Sequence, residues 1–196
     1  MEARGDMAGA ERLYREGLEM RRRLLGPEHP DTTRSMYALA YLLRAKHDPE
    51  GAARLGREVL ALRGRTLPDA HPMVAGSMMV VGLSLLDLQR AGEAEPLFRE
   101  CLRLRQQSLP PGHWLIASAE SMLGECLTAE RRYAEAEALL LRSRASLESS
   151  RGSSGDPRVV QATARLVALY DAWGKPDKAA EWRALMPAPS AAAPAK

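Results

Sequence analysis

The fold is decided by residues 113–152, which read HWLIASAESMLGECLTAERRYAEAEALLLRSRASLESSRG. Apolar residues in this stretch recur at helical spacing in two consecutive runs. The first run comprises Ile116, Ala119, Leu123, Cys126 and Leu127, and the second comprises Ala136, Leu139, Leu140, Ser143 and Leu147. The stretch therefore predicts two amphipathic helices joined by a short turn.

The same pattern recurs along the whole chain. His29-Pro30, His71-Pro72 and His113-Trp114 lie 42 positions apart, and Asp156-Pro157 follows after 43. One alanine position keeps this phase throughout, at Ala10, Ala52, Ala94, Ala136 and Ala179. A single helix pair of this size buries too little surface to be stable, so neighbouring pairs must stack on each other. The repeat therefore predicts an all-α solenoid.

The recurring residues resemble the tetratricopeptide repeat in its 42-residue form, which is typified by kinesin light chains. The resemblance rests on Leu39-Ala40, Val81-Gly82 and Leu123-Gly124 in the first helix of each unit, on Arg132-Tyr133 at the middle turn, and on Ala94 to Phe98 at the start of a second helix. It implies a right-handed superhelical solenoid of antiparallel helix pairs, called helix A and helix B, whose helices A line a concave surface that binds peptides.

The register divides the chain into a half repeat at 7–25 and repeats at about 30–67, 72–109, 114–151 and 157–186, which we interpret as one elongated domain. Residues 1–6 and the Ala/Pro-rich residues 187–196 are predicted to be disordered. The helix at 7–25 is in register a helix B without its helix A. We therefore expect its stacking face to be uncovered, and the chain to be the C-terminal part of a longer array.

Composition narrows the functional class. The net charge is only +3, and charges of both signs are interleaved along helix faces, which argues against nucleic-acid binding. There is no basic-then-apolar leader and no apolar run of 18 residues, so the sequence predicts neither a secretory signal nor a membrane span. Cys101 and Cys126 fall on apolar helix faces and are predicted to be inert core thiols. We expect a cytoplasmic protein.

The histidines are predicted to cap helices. At the last copy of the inter-repeat turn, Asp156 replaces the histidine directly before a proline, and aspartate at that place is a strong N-cap signal. His29, His71 and His113 belong to successive helix pairs, whose helices pack about 8–10 Å apart. Zinc needs its nitrogen ligands at about 2.0–2.1 Å, so the three histidines cannot share one ion.

No metalloprotease, nucleophile-elbow, Walker or kinase motif is present in the sequence. The sequence predicts no catalysis, metal or cofactor.

The resemblance also indicates which side chains face the concave surface. The candidate partner-binding residues are Arg34, Tyr37, Tyr41, Arg44, Met79, Leu83, Ser121 and Glu125, and the same carry-over adds Asp87, Ser118, Gln161 and Ala168. Kinesin-light-chain-like repeats usually carry paired asparagines here, whereas this chain contains no asparagine. Tyrosine and arginine are frequent hot-spot residues, so an amphipathic or acidic peptide is the expected ligand.

The sequence therefore predicts a non-catalytic scaffold that binds a protein or peptide, and it leaves two alternatives open. The last unit, from Leu166 to Tyr170 and from Trp173 to Pro176, also resembles the closing repeat of arrays attached to bacterial serine/threonine kinases. The chain would then be a regulatory fragment of such a kinase. The second alternative is end-to-end self-association through the uncovered first helix.

Overall fold

The structure is a computed structural model that describes residues 7–68, 70–151 and 156–187. Within these ranges the chain is helical and contains no strand, which confirms the predicted all-α class. The helices are α1 (Met7–Leu25), α2 (Pro30–Ala45), α3 (Pro49–Thr66), α4 (Pro72–Asp87), α5 (Ala91–Ser108), α6 (Trp114–Ala129), α7 (Tyr133–Arg151), α8 (Pro157–Ala172) and α9 (Pro176–Ala184). Of the residues predicted to be disordered, 1–6 and 187–196, all but Pro187 lie outside the described residues.

The histidine caps are confirmed. The backbone N–H of Asp31 donates to Nδ1 of His29 at 3.2 Å, and the N–H two residues after His71 and after His113 does the same at 3.1 and 3.2 Å. At the fourth turn Oδ1 of Asp156 accepts from the Arg158 N–H at 2.8 Å. Each cap therefore satisfies one N–H at the start of a helix A that would otherwise lack a partner.

Each helix A ends at a turn that contains one left-handed residue before helix B begins. That residue is His47, Gln89, Arg131 or Gly174, with φ between 59° and 71°. In each turn the next N–H donates back to a carbonyl of the helix, as Arg90 does to Leu85 at 2.8 Å. This is a Schellman motif, and it stops the helix at the same place in every repeat.

Contacts divide the chain into two units, residues 1–109 and 110–196. In unit 1, helices α1 to α4 each pack on the next, α4 packs on α5, and α2 also contacts α4. In unit 2, α6 packs on α7, α7 on α8 and α8 on α9, and α6 also contacts α8. Neighbouring helices A therefore lie side by side within each unit, as in a stack of helical hairpins.

Close helix contacts in both units depend on glycine. A Cβ placed on Gly82 would lie 2.7 Å from the ring of Phe98, and one on Gly124 would lie 2.6 Å from Cγ of Leu140. Phe98 and Leu140 are fully buried, so both side chains belong to the packed core. The glycine in helix A therefore makes room for the large side chain that helix B inserts into the core.

Both cysteines are buried, as predicted. Burial raises the pKa of the Cys101 thiol to about 11. A thiol that stays protonated is a poor nucleophile, so Cys101 contributes packing to the core.

Candidate functional site

The helix A surface of unit 2 contains a cleft of about 850 Å³. Its floor is a row of small residues one helical turn apart on α8, namely Ala164, Ala168 and Ala172. Its walls include Glu125 on α6 and Tyr133 at the start of α7. Of the residues expected on the concave surface, Glu125, Gln161 and Ala168 line this cleft.

Arg165 organises the polar side of this cleft. Its Nε donates to Oε2 of Glu125 at 2.5 Å, and its Nη1 donates to Oγ of Ser121 at 3.3 Å. The side chain thereby lies over Ser121, which is only 2% exposed. Ser121 was predicted to contact a partner directly, but it offers almost no surface. Arg165 and Glu125 present the polar groups instead.

Aromatic residues fix one end of the cleft. The ring of Tyr133 stacks on Trp173 with centroids 5.6 Å apart, and Nζ of Lys175 lies 3.0 Å from the Trp173 ring centroid. Tyr170 lies 6.4 Å from Trp173 and donates its hydroxyl to Glu137 at 2.6 Å. These contacts join the α8–α9 turn to α7, so the position of Tyr133 at the cleft is set by packing.

Electrostatics reinforce the same junction. The hydrogen bond from Tyr170 and, after it, contacts with Lys178 lower the pKa of Glu137. Burial first, and then the neighbouring carboxylate of Glu137, raise the pKa of Tyr170. At neutral pH Glu137 is therefore a carboxylate that accepts from the Tyr170 hydroxyl and from Nζ of Lys178, the latter at 3.0 Å.

In unit 1 the predicted tyrosines form a cluster with an arginine from helix B. Tyr37 and Tyr41 meet edge to face at 4.9 Å, and the Arg63 guanidinium lies 4.8 Å from the Tyr37 ring centroid. Tyr37 is half-buried, and burial, followed by the effect of Tyr41, raises its pKa above the ordinary range. Tyr41 is 36% exposed, so it is the member of the cluster that offers surface to a partner.

Arg63 is nearly fully buried and has no carboxylate among its hydrogen-bond acceptors. Its Nη1 donates to the Met73 carbonyl and to Oγ of Ser77, both at 3.0 Å, and its Nη2 donates to the Thr33 carbonyl at 3.5 Å. Neutral acceptors therefore hold this charge between α2, α3 and α4. The cation–π contact of this guanidinium with the Tyr37 ring stabilises the position of the ring.

The predicted arginines of unit 1 are paired with acids. Arg44 makes a two-point contact with Asp87, with Nε–Oδ2 at 2.5 Å and Nη2–Oδ1 at 3.1 Å. This pair joins the C-terminal ends of α2 and α4, and both residues were expected on the concave surface. Arg34 is exposed and lies 3.0 Å from Asp31 of its own helix. An incoming acidic group would have to compete with these carboxylates.

The predicted Met/Leu patch is smaller than expected. Met79 is only 4% exposed, and Leu83 is half-buried. The physical reason is that α4 packs against α2, α3 and α5, so most of its circumference is covered. Leu83 keeps some accessible apolar surface, whereas Met79 belongs to the core.

The sequence did not indicate three side chains that shape these surfaces, namely Arg165 and Tyr133 at the cleft and Arg63 beside Tyr37. Arg165 directly follows Ala164, which has the same position in its repeat as Ser121 has in the preceding one. The carboxylate that Arg165 contacts belongs to Glu125, 40 residues earlier in the chain. A search for Arg–Glu pairs one repeat apart could have found it. Arg63 lies on a helix B, and the binding positions inferred from the family were restricted to helices A, so Arg63 was not among them.

The arrangement is suited to binding. Unit 2 has a cleft with the paired Arg165 and Glu125 side chains, and unit 1 has the partly exposed Tyr41 ring, so each unit has groups that can contact a ligand. In the part of the chain that the structure describes, no group of His, Cys, Asp and Glu side chains is arranged to hold a metal ion. Over the same residues, no helix has both the length and the apolar character needed to cross a bilayer.

Stacked helical hairpins of this kind define a helical-repeat protein. The model of the tetratricopeptide repeat family matches residues 1–65 and 73–149, which is most of the chain. The chain therefore belongs to the tetratricopeptide repeat family, which the recurring residues resemble. No curated protein matches it significantly.

Solved structures support the same fold. A variant of the Podosopora anserina putative kinesin light chain with nearly identical TPR-like repeats is 23% identical, with 92% of this chain and 87% of that chain covered and a TM-score of 0.77. BtubC (BKLC) from P. vanneervenii is 24% identical over 98% of this chain and 80% of that chain, with a TM-score of 0.75. The apo form of RapI is 16% identical over 93% of this chain and 64% of that chain, with a TM-score of 0.76.

Proposed function

We propose that this protein is a non-catalytic scaffold that binds a protein segment on the helix A surface, with the unit 2 cleft as the principal site. The observation that carries the proposal is the cleft itself. Its volume of about 850 Å³ falls within the range of sites that hold ligands or several side chains of a peptide. The alanine floor on α8 lets a bound backbone approach closely.

The cleft chemistry favours a segment with both apolar and charged side chains. The three alanines and the Tyr133 ring offer apolar contact, while Arg165 and Glu125 offer one charge of each sign. Tyr133 is placed by its stacking on Trp173, so little conformational entropy is lost when it contacts a partner. An amphipathic peptide can make apolar contacts with the alanines and Tyr133 and charged contacts with Arg165 and Glu125. The carboxylates of a purely acidic peptide would be repelled by Glu125.

Peptides selected from a random display library on the wild-type chain test this site. Ala168→Arg fills the floor with a long side chain at an exposed helix position, so the helix should persist while the cleft closes. We expect the affinity of a selected peptide to fall by at least about tenfold, or 1.4 kcal/mol. Isothermal titration calorimetry measures the affinity, and circular dichroism verifies the helicity.

Ala145→Arg is the matched control, because Ala145 is also an exposed alanine in a unit 2 helix but does not line the cleft. It should bind the peptide as tightly as the wild type. If Ala168→Arg retains full affinity for every selected peptide, the cleft is not the binding site and the proposal fails.

The unit 1 surface is proposed as a second contact area, through Tyr41, Leu83 and the Arg44–Asp87 pair. These residues keep accessible surface, whereas Met79 does not. The cytoplasmic location stays a prediction, and it is consistent with two buried free thiols.

A further inference from the structure

Arg131 lines the unit 2 cleft without an acidic partner. Its side chain is exposed, and among the residues that the structure describes no carboxylate lies within ion-pair distance of its guanidinium. By contrast, Nε of Arg165 donates to Glu125 at 2.5 Å. Nε of Arg132, the next residue in the chain, donates to Glu135 at 2.8 Å. The positive charge of Arg131 is therefore available to a ligand.

The fold does not require an arginine at position 131. This residue is the left-handed one in the turn between α6 and α7, with φ of 62°. Backbone hydrogen bonds close the turn, since the N–H of Arg131 donates to the Thr128 carbonyl at 3.0 Å. Gln89 holds the equivalent place 42 residues earlier, with φ of 59°. Because the backbone makes the same turn with either side chain, the turn itself gives the guanidinium no role.

The cleft has a long axis, and Arg131 lies at one end of it. Gln161 and Ala172 of α8 both line the cleft and are eleven residues apart, which is about 16 Å along a helix. Tyr133 lies near the Ala172 end, because its ring stacks on Trp173 with centroids 5.6 Å apart. Arg131 precedes Tyr133 by two residues and lines the same cleft, so its charge belongs to that end.

The charges that line the cleft do not balance. Arg131 and Arg165 carry two positive charges, and Glu125 carries one negative charge. Because Arg165 and Glu125 pair with each other, the net positive charge is that of Arg131. The cleft is therefore complementary to a ligand with one negative charge at the Arg131 end and apolar groups over the alanine floor.

The surroundings of Arg131 do not cancel its charge. The C-terminal end of α6 and the N-terminal end of α7 meet in this turn, so their opposite helix dipoles offset each other. Lys175 adds a second cation near this end, with its Nζ 3.0 Å from the Trp173 ring centroid. The carboxylate of Glu137 on α7 already accepts from Tyr170 and Lys178, at 2.6 and 3.0 Å. Side chains therefore make this end of the cleft electropositive.

We propose that the cleft binds an extended segment of about five residues, with apolar side chains over the alanine floor and one Asp or Glu side chain paired with Arg131. The inference rests on the proposed function, because it names the chemistry of the partner for the same site. The acid belongs at the Arg131 end, since elsewhere in the cleft it would face Glu125. Arg131 is exposed, so the bound chain continues past it and the carboxylate comes from a side chain, not from a chain terminus.

The test begins with peptides selected from a random library displayed within a loop, so that no free terminus takes part in binding. Peptides whose affinity falls with Ala168→Arg occupy the cleft and are carried forward. We expect them to share an acidic residue beside apolar ones. Each is then synthesised with an acetylated N-terminus and an amidated C-terminus, once with the acidic residue and once with the matching amide, Asn or Gln.

A double-mutant cycle measures the pairing. Arg131→Gln removes the cation and keeps the turn, because Gln89 already occupies the equivalent position. In isothermal titration calorimetry at low salt, it should raise the Kd of the acidic peptide about three- to tenfold. It should leave the Kd of the amide peptide unchanged, since that peptide has no carboxylate to lose. Circular dichroism verifies that the variant keeps its helicity.

Arg132→Gln is the matched control. It removes the same charge one residue away, from a side chain that is paired with Glu135 and does not line the cleft. Both peptides should bind this variant as tightly as the wild type. A loss equal to that of Arg131→Gln would show an effect of net charge alone and would overturn the inference.

The remaining outcomes separate the inference from the function on which it rests. A selection that yields no peptide sensitive to Ala168→Arg refutes both. Cleft-binding peptides without an acidic residue, or an acidic peptide that binds Arg131→Gln as tightly as the wild type, refute the inference and leave the cleft as a binding site. Selected peptides that lose their binding once both ends are blocked also refute it, because the carboxylate is then that of a terminus.

Discussion

The contact between Gly82 and Phe98 gives a quantitative test of how the hairpins are packed. An alanine Cβ at position 82 would lie 2.7 Å from Cε1 and 2.8 Å from Cζ of Phe98. Carbon atoms in good contact are about 3.5–4.0 Å apart, so α4 and α5 must separate by about 1 Å or the ring must leave its place. Phe98 is fully buried, so the packed side chains around the ring oppose its displacement.

The expected change in stability is the sum of two opposing effects. Overpacking of a core costs about 1–3 kcal/mol. Replacing a helical glycine by alanine returns about 1 kcal/mol. Gly82→Ala should therefore lower the free energy of unfolding by about 1 kcal/mol, measured by urea denaturation followed by circular dichroism at 222 nm.

Gly64→Ala is the matched control in the same unit. Gly64 also lies in a helix, and no heavy atom would come within 4 Å of a Cβ placed on it. This variant should gain about 0.5–1 kcal/mol, because only the helix propensity changes. The difference between the two variants isolates the packing cost, and it should amount to about 1–3 kcal/mol.

Measuring Gly82→Ala in a chain that already carries Phe98→Ala tests whether the ring causes the destabilisation. In a Phe98→Ala chain the ring is gone, so adding Gly82→Ala should now stabilise the protein by about 1 kcal/mol. The effect of one substitution then changes sign with its neighbour. If Gly82→Ala stabilises the wild type as much as Gly64→Ala does, the close approach is not a constraint and this account of the repeat is refuted.

Three further predictions concern the ends of helices and the Glu137 junction. Gln89→Gly should stabilise unit 1 by about 0.5–1 kcal/mol in urea unfolding, and Gly174→Ala should destabilise unit 2 by about 1 kcal/mol, because both positions have positive φ. His71→Ala should cost about 1 kcal/mol of unfolding free energy, since the Met73 N–H loses its acceptor, while His71→Asp should retain the stability. Tyr170→Phe should cost about 1.5–3 kcal/mol at pH 7. Because the folded protein lowers the pKa of Glu137, that bond is strong above the ordinary Glu value, and the difference from wild type should shrink as pH falls below it. A difference in the Tyr170→Phe comparison that stays constant down to pH 3 would contradict a bond to the carboxylate.

The fold could be predicted because its signals are local and repeated. The capping residues act on an N–H two residues away, and the apolar periodicity acts within one helix. Each of these signals occurs several times, so a weak match at one repeat is corrected by the others. The exact ends of helices A depend on the left-handed residue in each turn. Gln89 and Arg131 adopt a left-handed conformation that their residue types do not predict. Gly174 has the same conformation, and glycine is the residue type that predicts it.

The candidate site was predicted only in part, because exposure depends on neighbours that are distant in sequence. Glu125 and Ala168, which the resemblance placed on the concave surface, line the cleft. Ser121 has the same register as Tyr37, yet it lies beneath the Arg165 side chain. Met79 has that register too, and it is covered because α4 packs on three other helices.

The amino-acid sequence alone determined the helices, the histidine caps and the repeat. The helices and caps follow from spacing within a few turns of one helix, and the repeat follows from the recurrence of that spacing along the chain. Tertiary structure decided which groove positions keep accessible surface, which arginines are held by carboxylates, and that a cleft opens over the alanines of α8. Those properties arise where side chains about one repeat apart compete for the same space. Spacing along one helix does not encode the outcome of that competition, and the packing between helices does.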